Sequence, residues 1–397
     1  FVFEEPREIP PPLPESVEGR SAHGGVQTRA GAPDRIDVVF RKSVYRRTKE
    51  QAAAVADALK ITVLRDGGRL VLGTNRDAFK RRNFETFFAV SLPPGTPVKI
   101  GNSYGPVKVS GTGAAEIENP HGEVRAEDVG GLLVLANSYA PVLVRSAASD
   151  VRLDSPHSEL TVEGVRGGVT IDHRYGEVTL RDVAGAVVVR GSHSKVRGSS
   201  LPGPVEIESS YEDVFLSETG PVTVRGPHCG IDVRTAAGAV SVSGSYGRID
   251  VRGVRGNLSI DAPNSEVAVS DALAEVIDVR TSYRDVALAA FTGAVRLRMS
   301  HGEIRLEPLD ITGPIDVESA YAGVELVWPF GLRAPFEGLS KGGRVFWNLS
   351  DRPDLEENNG TSSLKAYQSE TGRPAIRIAT AYGDIRVEPG PPGREKD

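Results

Sequence analysis

The stretch SGSYGRIDVRGVRG, residues 243–256, is a strand framed by glycines, and its phrase returns as NSYGPVKVSG, HRYGEVTLRD, SSYEDVFLSE and TSYRDVALAA. The tyrosines of this phrase form a column, Tyr104, Tyr139, Tyr175, Tyr211, Tyr246, Tyr283 and Tyr321, with gaps of 35 to 38 residues. Midway between them a related phrase carries histidine, at His121, His157, His193, His228 and His301, with Asn264 filling one gap. Proline precedes the second column at Pro120, Pro156, Pro227 and Pro263 and never precedes the tyrosines. The repeating unit is therefore expected to be about 36 residues, in two similar halves of about 18.

Each half holds two apolar–x–apolar triplets, such as Val178/Leu180 and Val187/Val189, or Ile249/Val251 and Leu258/Ile260, with Gly, Ser or Asn at their ends. Period two with β-branched residues is strand chemistry. The residue between the apolar pair (Thr179, Glu206, Thr223, Asp232, Asp250) is polar and is expected to face water. Strands this short cannot bury a face alone and must stack on copies of themselves. The expected fold is all-β, a single-stranded parallel β-solenoid with coils about 4.8 Å apart. A 36-residue coil of four strands is favoured because it explains the proline asymmetry: tyrosines would stack on tyrosines, and histidines and Asn264 would form a separate ladder. The general bias of β-crossovers makes it a right-handed β-helix; an 18-residue coil, in which Tyr would alternate with His, leaves a left-handed triangular alternative.

The rhythm defines the expected parts. Residues 1–20 form a Pro-rich extended arm, and 21–99 a cap without the repeat, with strands and a helix over 48–60 whose Thr48 and Gln51 fit a capping box. Within that cap, Asp66-Gly67-Gly68 marks a hairpin. Coils fill 100–327, an insertion at 328–372 holding both tryptophans folds over the far end, and 373–397 supply a last strand with Tyr382 and a polar tail. The arm, with Phe1, Val2, Phe3, Ile9 and Leu13, is expected to lie on a neighbouring subunit and to propagate a head-to-tail filament.

Composition narrows the partners. With 47 Lys+Arg against 53 Asp+Glu the net charge is −6, and no basic stripe suits nucleic acid. Cys229 is the only cysteine, which excludes an intrachain disulfide and a Cys-based metal cluster. No apolar run approaches the ~20 residues of a spanning helix. Because the chain begins at Phe1, removal of a signal peptide and an extracellular or cell-surface location are expected.

The recurring SYGxVxV…GxVxV phrases, the helix-bearing N-terminal segment and the closing AYGDIRV resemble the DUF4097/DUF2807 group of bacterial adhesin-like proteins, over about residues 35–388. The resemblance implies a β-helix at the cell envelope or outside it; it brings no catalytic residues, and some relatives are associated with envelope-stress signalling.

Neither ring column demands chemistry. Metal binding by the histidines would need ligands converging on one ion, and turn positions suit a structural ladder. The tyrosines could offer faces to sugars, but corner rings stacking on each other and shielding the coil edge are the favoured reading. Asp172, Asp232, Asp250, Asp278 and Asp316 recur with the repeat as a solvated face, and Glu123, Glu177 and Glu303 sit in turns. No nucleophile elbow, HExxH or phosphate loop occurs. No catalytic residue, cofactor or metal is therefore expected. The expected function is that of a non-catalytic secreted or cell-surface adhesin-like protein, its partners further copies of itself, surface glycans or envelope proteins. An envelope-stress sensor or ligand-binding domain is the alternative, and a polysaccharide-active enzyme the second.

Overall fold

An apolar–polar–apolar strand buries its two apolar side chains only where the strands above and below repeat them. The computed structural model, which describes residues 1–79, 83–370 and 372–391, meets that requirement at a spacing of eighteen residues. In the first of two compact units, Phe1–Lys195, strand Val124–Val129 pairs in parallel with Val142–Ala147, and that strand with Leu160–Val165, so that Val124, Val142 and Leu160 lie in register. The other wall repeats the rule through Leu133, Val151, Val169 and Val187. The coil is thus half the expected length and holds two strands, which corrects the 36-residue, four-stranded coil. Tyr and His phrases occupy one corner on successive coils, not two corners of one.

Across that corner Tyr139 N–H donates to the Pro120 carbonyl (3.0 Å) and Tyr175 N–H to that of Pro156 (2.9 Å); Tyr321 N–H makes the same contact with the Ser300 carbonyl (2.7 Å), so it does not require proline.

The coil that begins at Val124 sends five apolar side chains inward. Val124, Ala126, Val129, Leu133 and Leu135 are at most 1% exposed. The first strand gains its third inward residue through a left-handed residue, Asp128 (φ 53), which the pairing skips between Glu127↔Arg145 and Val129↔Ala147. Ser146, Gly164 and Asp182 repeat this kink at eighteen-residue steps. Short polar side chains and glycine tolerate that backbone best.

The first unit's end is closed by chain threaded out of order. Strand Ser16–Ala30 is itself a coil, pairing Val17 with Val98 and Val26 with Val107; the expectation that residues 1–99 lack the repeat is corrected there. Outside it lies a later segment, Arg69–Thr74 and Phe84–Leu92, also parallel to Ser16–Ala30. Antiparallel strands then end the stack. Ile61–Asp66 forms the expected hairpin with Arg69–Thr74, and Ile36–Val44 runs against Phe84–Leu92. The helix spans Lys49–Ala58, with Thr48 Oγ1 accepting from Gln51 N–H at 3.3 Å.

The arm behaves differently from expectation. Val2–Ile9 pairs antiparallel with Ile36–Ser43 of its own chain, Ile9 is buried, and Phe1 and Val2 are exposed. One edge of the arm's backbone is thus satisfied within its own chain.

The second unit, Val196–Asp397, repeats the scheme. Val214, Ile231, Ile249 and Val267 align along one wall, and Val205, Val222, Val240 and Leu258 along the other. Its end is also interleaved. Ile315–Ser319 and Gly323–Trp328 pair with the last strands, Ile376–Thr380 and Ile385–Pro389. Those in turn pair with the earlier Phe336–Ser340 and Val345–Trp347, which lie outermost. Antiparallel strands Thr361–Ala366 and Asp354–Asn358 finish the cap. The expected insertion therefore folds over the end as the last coil, with the final strands threaded beneath it. Residues 392–397 of the expected polar tail lie outside the described residues.

Candidate functional site

The repeating corner gathers the two columns into one. In the first unit the order is His23, Tyr104, His121, Tyr139, His157, Tyr175, His193, with ring centroids 4.6 to 5.5 Å apart. From His23 to Tyr175 the planes lie within 9° of parallel. In the second unit Tyr211, His228 and Tyr246 stack at 5.3 and 5.1 Å, and Tyr283, His301, Tyr321 and Tyr382 at 4.6 to 5.1 Å. Asn264 occupies the place between Tyr246 and Tyr283, since the register aligns Arg248 with Glu266 and Val267 with Val286. The expected separate Tyr and His ladders are thus corrected to one alternating ladder in each unit.

Small residues make the corner passable. A Cβ on Gly122 would lie 1.8 Å from the Gly105 carbonyl oxygen, and one on Gly105 (φ 105) 2.2 Å from that of Gly24. From His193 to Tyr283 the column residues themselves adopt left-handed backbone, φ 53 to 71, a conformation that the ring stack must hold in place.

The consequence for recognition is geometric. Each ring face is covered by its neighbours, so the faces that sugars would stack on are taken, and ring edges point to solvent. The tyrosines are 47% to 63% exposed. What the corner offers is a row of phenol hydroxyls alternating with imidazole edges.

Beneath the rings runs a buried polar column that the phrase pattern conceals. Asn102 Nδ2 donates to Asn119 Oδ1 (3.3 Å), and Asn137 Nδ2 to the carbonyls of Asn119 (2.7 Å) and Gly122 (2.8 Å). These amides satisfy corner carbonyls that would otherwise be buried unpaired. Ser155 and His173 continue the column. His173 Nε2 donates to the Ser158 carbonyl and Nδ1 meets Ser194 Oγ, both at 2.8 Å, and burial holds its pKa below the usual imidazole value. The eighteen-residue spacing of Asn119, Asn137, Ser155 and His173 is the signal that could have found it. His23 is legible only once SAHGGV is set beside NPHGEV.

Three of the outward aspartates are engaged along their own strands. Asp232 bonds Arg234 (2.6 Å) and Asp250 bonds Arg252 (2.5 Å), which lowers the Asp250 pKa; Asp278 lies 3.5 Å from Arg280. Among the described residues no three His, Cys, Asp or Glu side chains converge on a point that could hold a metal ion. Cys229 is buried, and burial raises its thiol pKa.

Clefts flank the caps. In the first unit a cleft of about 620 Å³ meets the ladder at His23 and Tyr104 and is walled by Arg41, Tyr45, Glu85 and Phe87. In the second, one of about 670 Å³ lies among Trp328, Phe330, Arg333, Asp351 and Tyr367. There Trp328, Trp347 and Tyr367 pack within 5.9 Å of each other. Burial and a hydrogen bond to Asp351 push the Tyr367 pKa up to about 12.

Two-stranded coils in parallel register with a stacked ring edge define a β-solenoid. The chain belongs to the Toastrack DUF4097 family, whose model matches residues 56–388. Two solved structures are similar to it: a "putative cell adhesion protein" from Clostridium sporogenes ATCC 15579 at 9% identity (98% of this chain, 100% of that one, TM-score 0.20), and a "putative adhesin" from Bacteroides fragilis NCTC 9343 at 10% identity (61% and 95%, TM-score 0.27). No curated protein matches the chain.

Proposed function

We propose that this protein is a non-catalytic, surface-acting binding scaffold of the adhesin type. The observation that carries this reading is the ring edge: hydroxyl- and imidazole-bearing side chains held in line at 4.6 to 5.5 Å, exposed and rigidly backed by parallel sheet. Regular display on a stiff support suits multivalent contact with a repetitive surface, where weak contacts sum through effective concentration. Asp232, Asp250 and Asp278 are each engaged by the arginine two residues on, and that pairing lowers the Asp250 pKa, the opposite of what a general acid needs. The caps favour a chain that acts alone. Pro6 lies in the N-terminal edge strand beside Glu4, Glu5 and Glu8, and Asp354–Asn358 brings three carboxylates to the other outer strand; proline and charge are devices that block edge pairing.

The test is to incubate fluorescently labelled, purified protein with intact bacterial cells and isolated envelope polysaccharide. Saturable retention without release of reducing ends is expected. Product release would make it an enzyme, and absence of retention on either material would defeat the reading.

A further inference from the structure

We propose that the ring edge of the first unit is a binding rail for a neutral, extended β-1,4-linked glycan, which ends in the cleft beside His23 and Tyr104. This rests on the surface-binding reading above and names its ligand class. Three observations converge on it.

The first is pitch. The rail advances 4.6 to 5.5 Å per ring and repeats every second ring, Tyr then His. An extended β-1,4 glycan advances one sugar in nearly the same distance and turns over at every sugar, so its period is also two. Helical α-1,4 chains keep no such register.

The second is hydrogen-bonding chemistry. With ring faces covered, the rail contacts a ligand by its edges. Among the described residues the hydroxyls of Tyr104, Tyr139 and Tyr175 have no protein partner, and all three tyrosines are exposed. Each following residue is small (Gly105, Ala140 and Gly176), so nothing bulky shields the row. Charge selects among glycans: Glu159 and Glu177 stand two residues after their rings and disfavour an anionic chain, while Glu123 is paired with Arg125.

The third is an end stop. The cleft opens at the His23–Tyr104 end and brings Arg41, Tyr45 and Glu85 to the position of a terminal sugar. A second copy of the chain would match the pitch too. However, two convex ridges one ring wide bury far less than the roughly 800 Å² per partner of a stable interface, whereas a single glycan chain needs only that width.

The experiment titrates chitohexaose, cellohexaose and maltohexaose into the full chain by calorimetry, with chitotriose for length dependence. The Tyr104→Phe/Tyr139→Phe/Tyr175→Phe variant keeps the stack and removes three hydroxyls. The rail predicts binding of at least one β-1,4 hexamer tenfold or more tighter than its trimer, none of maltohexaose, and a tenfold or greater loss in the triple variant at unchanged thermal midpoint. Equal binding of maltohexaose, undiminished binding by the variant, or no β-1,4 binding overturns it. So does a tyrosine-dependent dimer in sedimentation without glycan binding. If the triple variant keeps wild-type retention on cells, the rail falls and the surface-binding reading stands; release of reducing ends overturns that reading itself.

Discussion

Replacing Asn264 by histidine should stabilise the second unit by completing its ring column. Asn264 has φ 60, the same backbone as His228, and His228 already stacks between Tyr211 and Tyr246 at 5.3 and 5.1 Å. A histidine at 264 would gain two such contacts, with Tyr246 below and Tyr283 above. Stacked pairs contribute about 0.5–1.5 kcal/mol each beyond burial, so the gross gain is about 1–3 kcal/mol. Asn and His are both among the residues most tolerant of left-handed backbone, so little is lost in the exchange. A net gain of about 1–2 kcal/mol raises the midpoint of a unit this size by a few degrees, at roughly 2–4 °C per kcal/mol. The assay is thermal and denaturant unfolding of Asn264→His alone and in a Tyr246→Ala/Tyr283→Ala background, which isolates the coupling. No stabilisation, or a gain that survives loss of both tyrosines, would refute the stacking argument.

Further expectations concern the layers around that column. Leu180→Ala, at a fully buried inward position, should cost about 2–5 kcal/mol, and the outward Thr179→Ala less than about 0.5 kcal/mol, in urea unfolding. Asn137→Leu should cost about 2–4 kcal/mol, by stranding the Asn119 and Gly122 carbonyls. Ala290 has φ 52, so Ala290→Gly should stabilise by up to about 1 kcal/mol. His173 is held neutral by burial, its folded pKa below the unfolded value of about 6.5. Its contribution is therefore complete above about pH 6.5 and declines as pH falls below it, because the unfolded chain takes up the proton first. His173→Asn, which copies the neighbouring column residues, should show a shallower loss of stability between pH 7.5 and 5.5 than the parent chain; equal slopes would contradict the assignment.

How much of this was legible follows from what repeats and what does not. The triplets around Val178/Leu180 and Val187/Val189 betray strands because inward and outward alternate within three residues. The parallel stack follows because such strands have no other partner. The coil length was misread for a chemical reason: tyrosine and histidine look unlike in sequence, yet both are flat rings that stack at 4.6 to 5.5 Å, so the corner treats them as equivalent. The periodicity of residue names was twice that of the backbone. The Asn102–Asn119–Asn137 column hid because its members sit two residues before the conspicuous rings and later give way to Ser155 and His173. The interleaved ends could not be read at all. Nothing local in Ser16–Ala30 states that Arg69–Thr74 will lie outside it, since spatial order there is set by which coil remains uncovered. The arm's pairing with Ile36–Ser43 was not legible because its proline and glutamates suggest an extended segment without indicating which edge it joins.

The most direct measurement of the central claim is disulfide trapping in a Cys229→Ser background, comparing Tyr139→Cys/His157→Cys with Tyr139→Cys/Tyr175→Cys. An eighteen-residue coil places 139 and 157 at the same corner of adjacent coils, about 4.8 Å apart and within disulfide reach, and 139 and 175 two coils apart, beyond it. Rapid oxidation of the first pair and none of the second is the predicted result. Bridging of 139 to 175 with 139 and 157 left as free thiols would contradict the account.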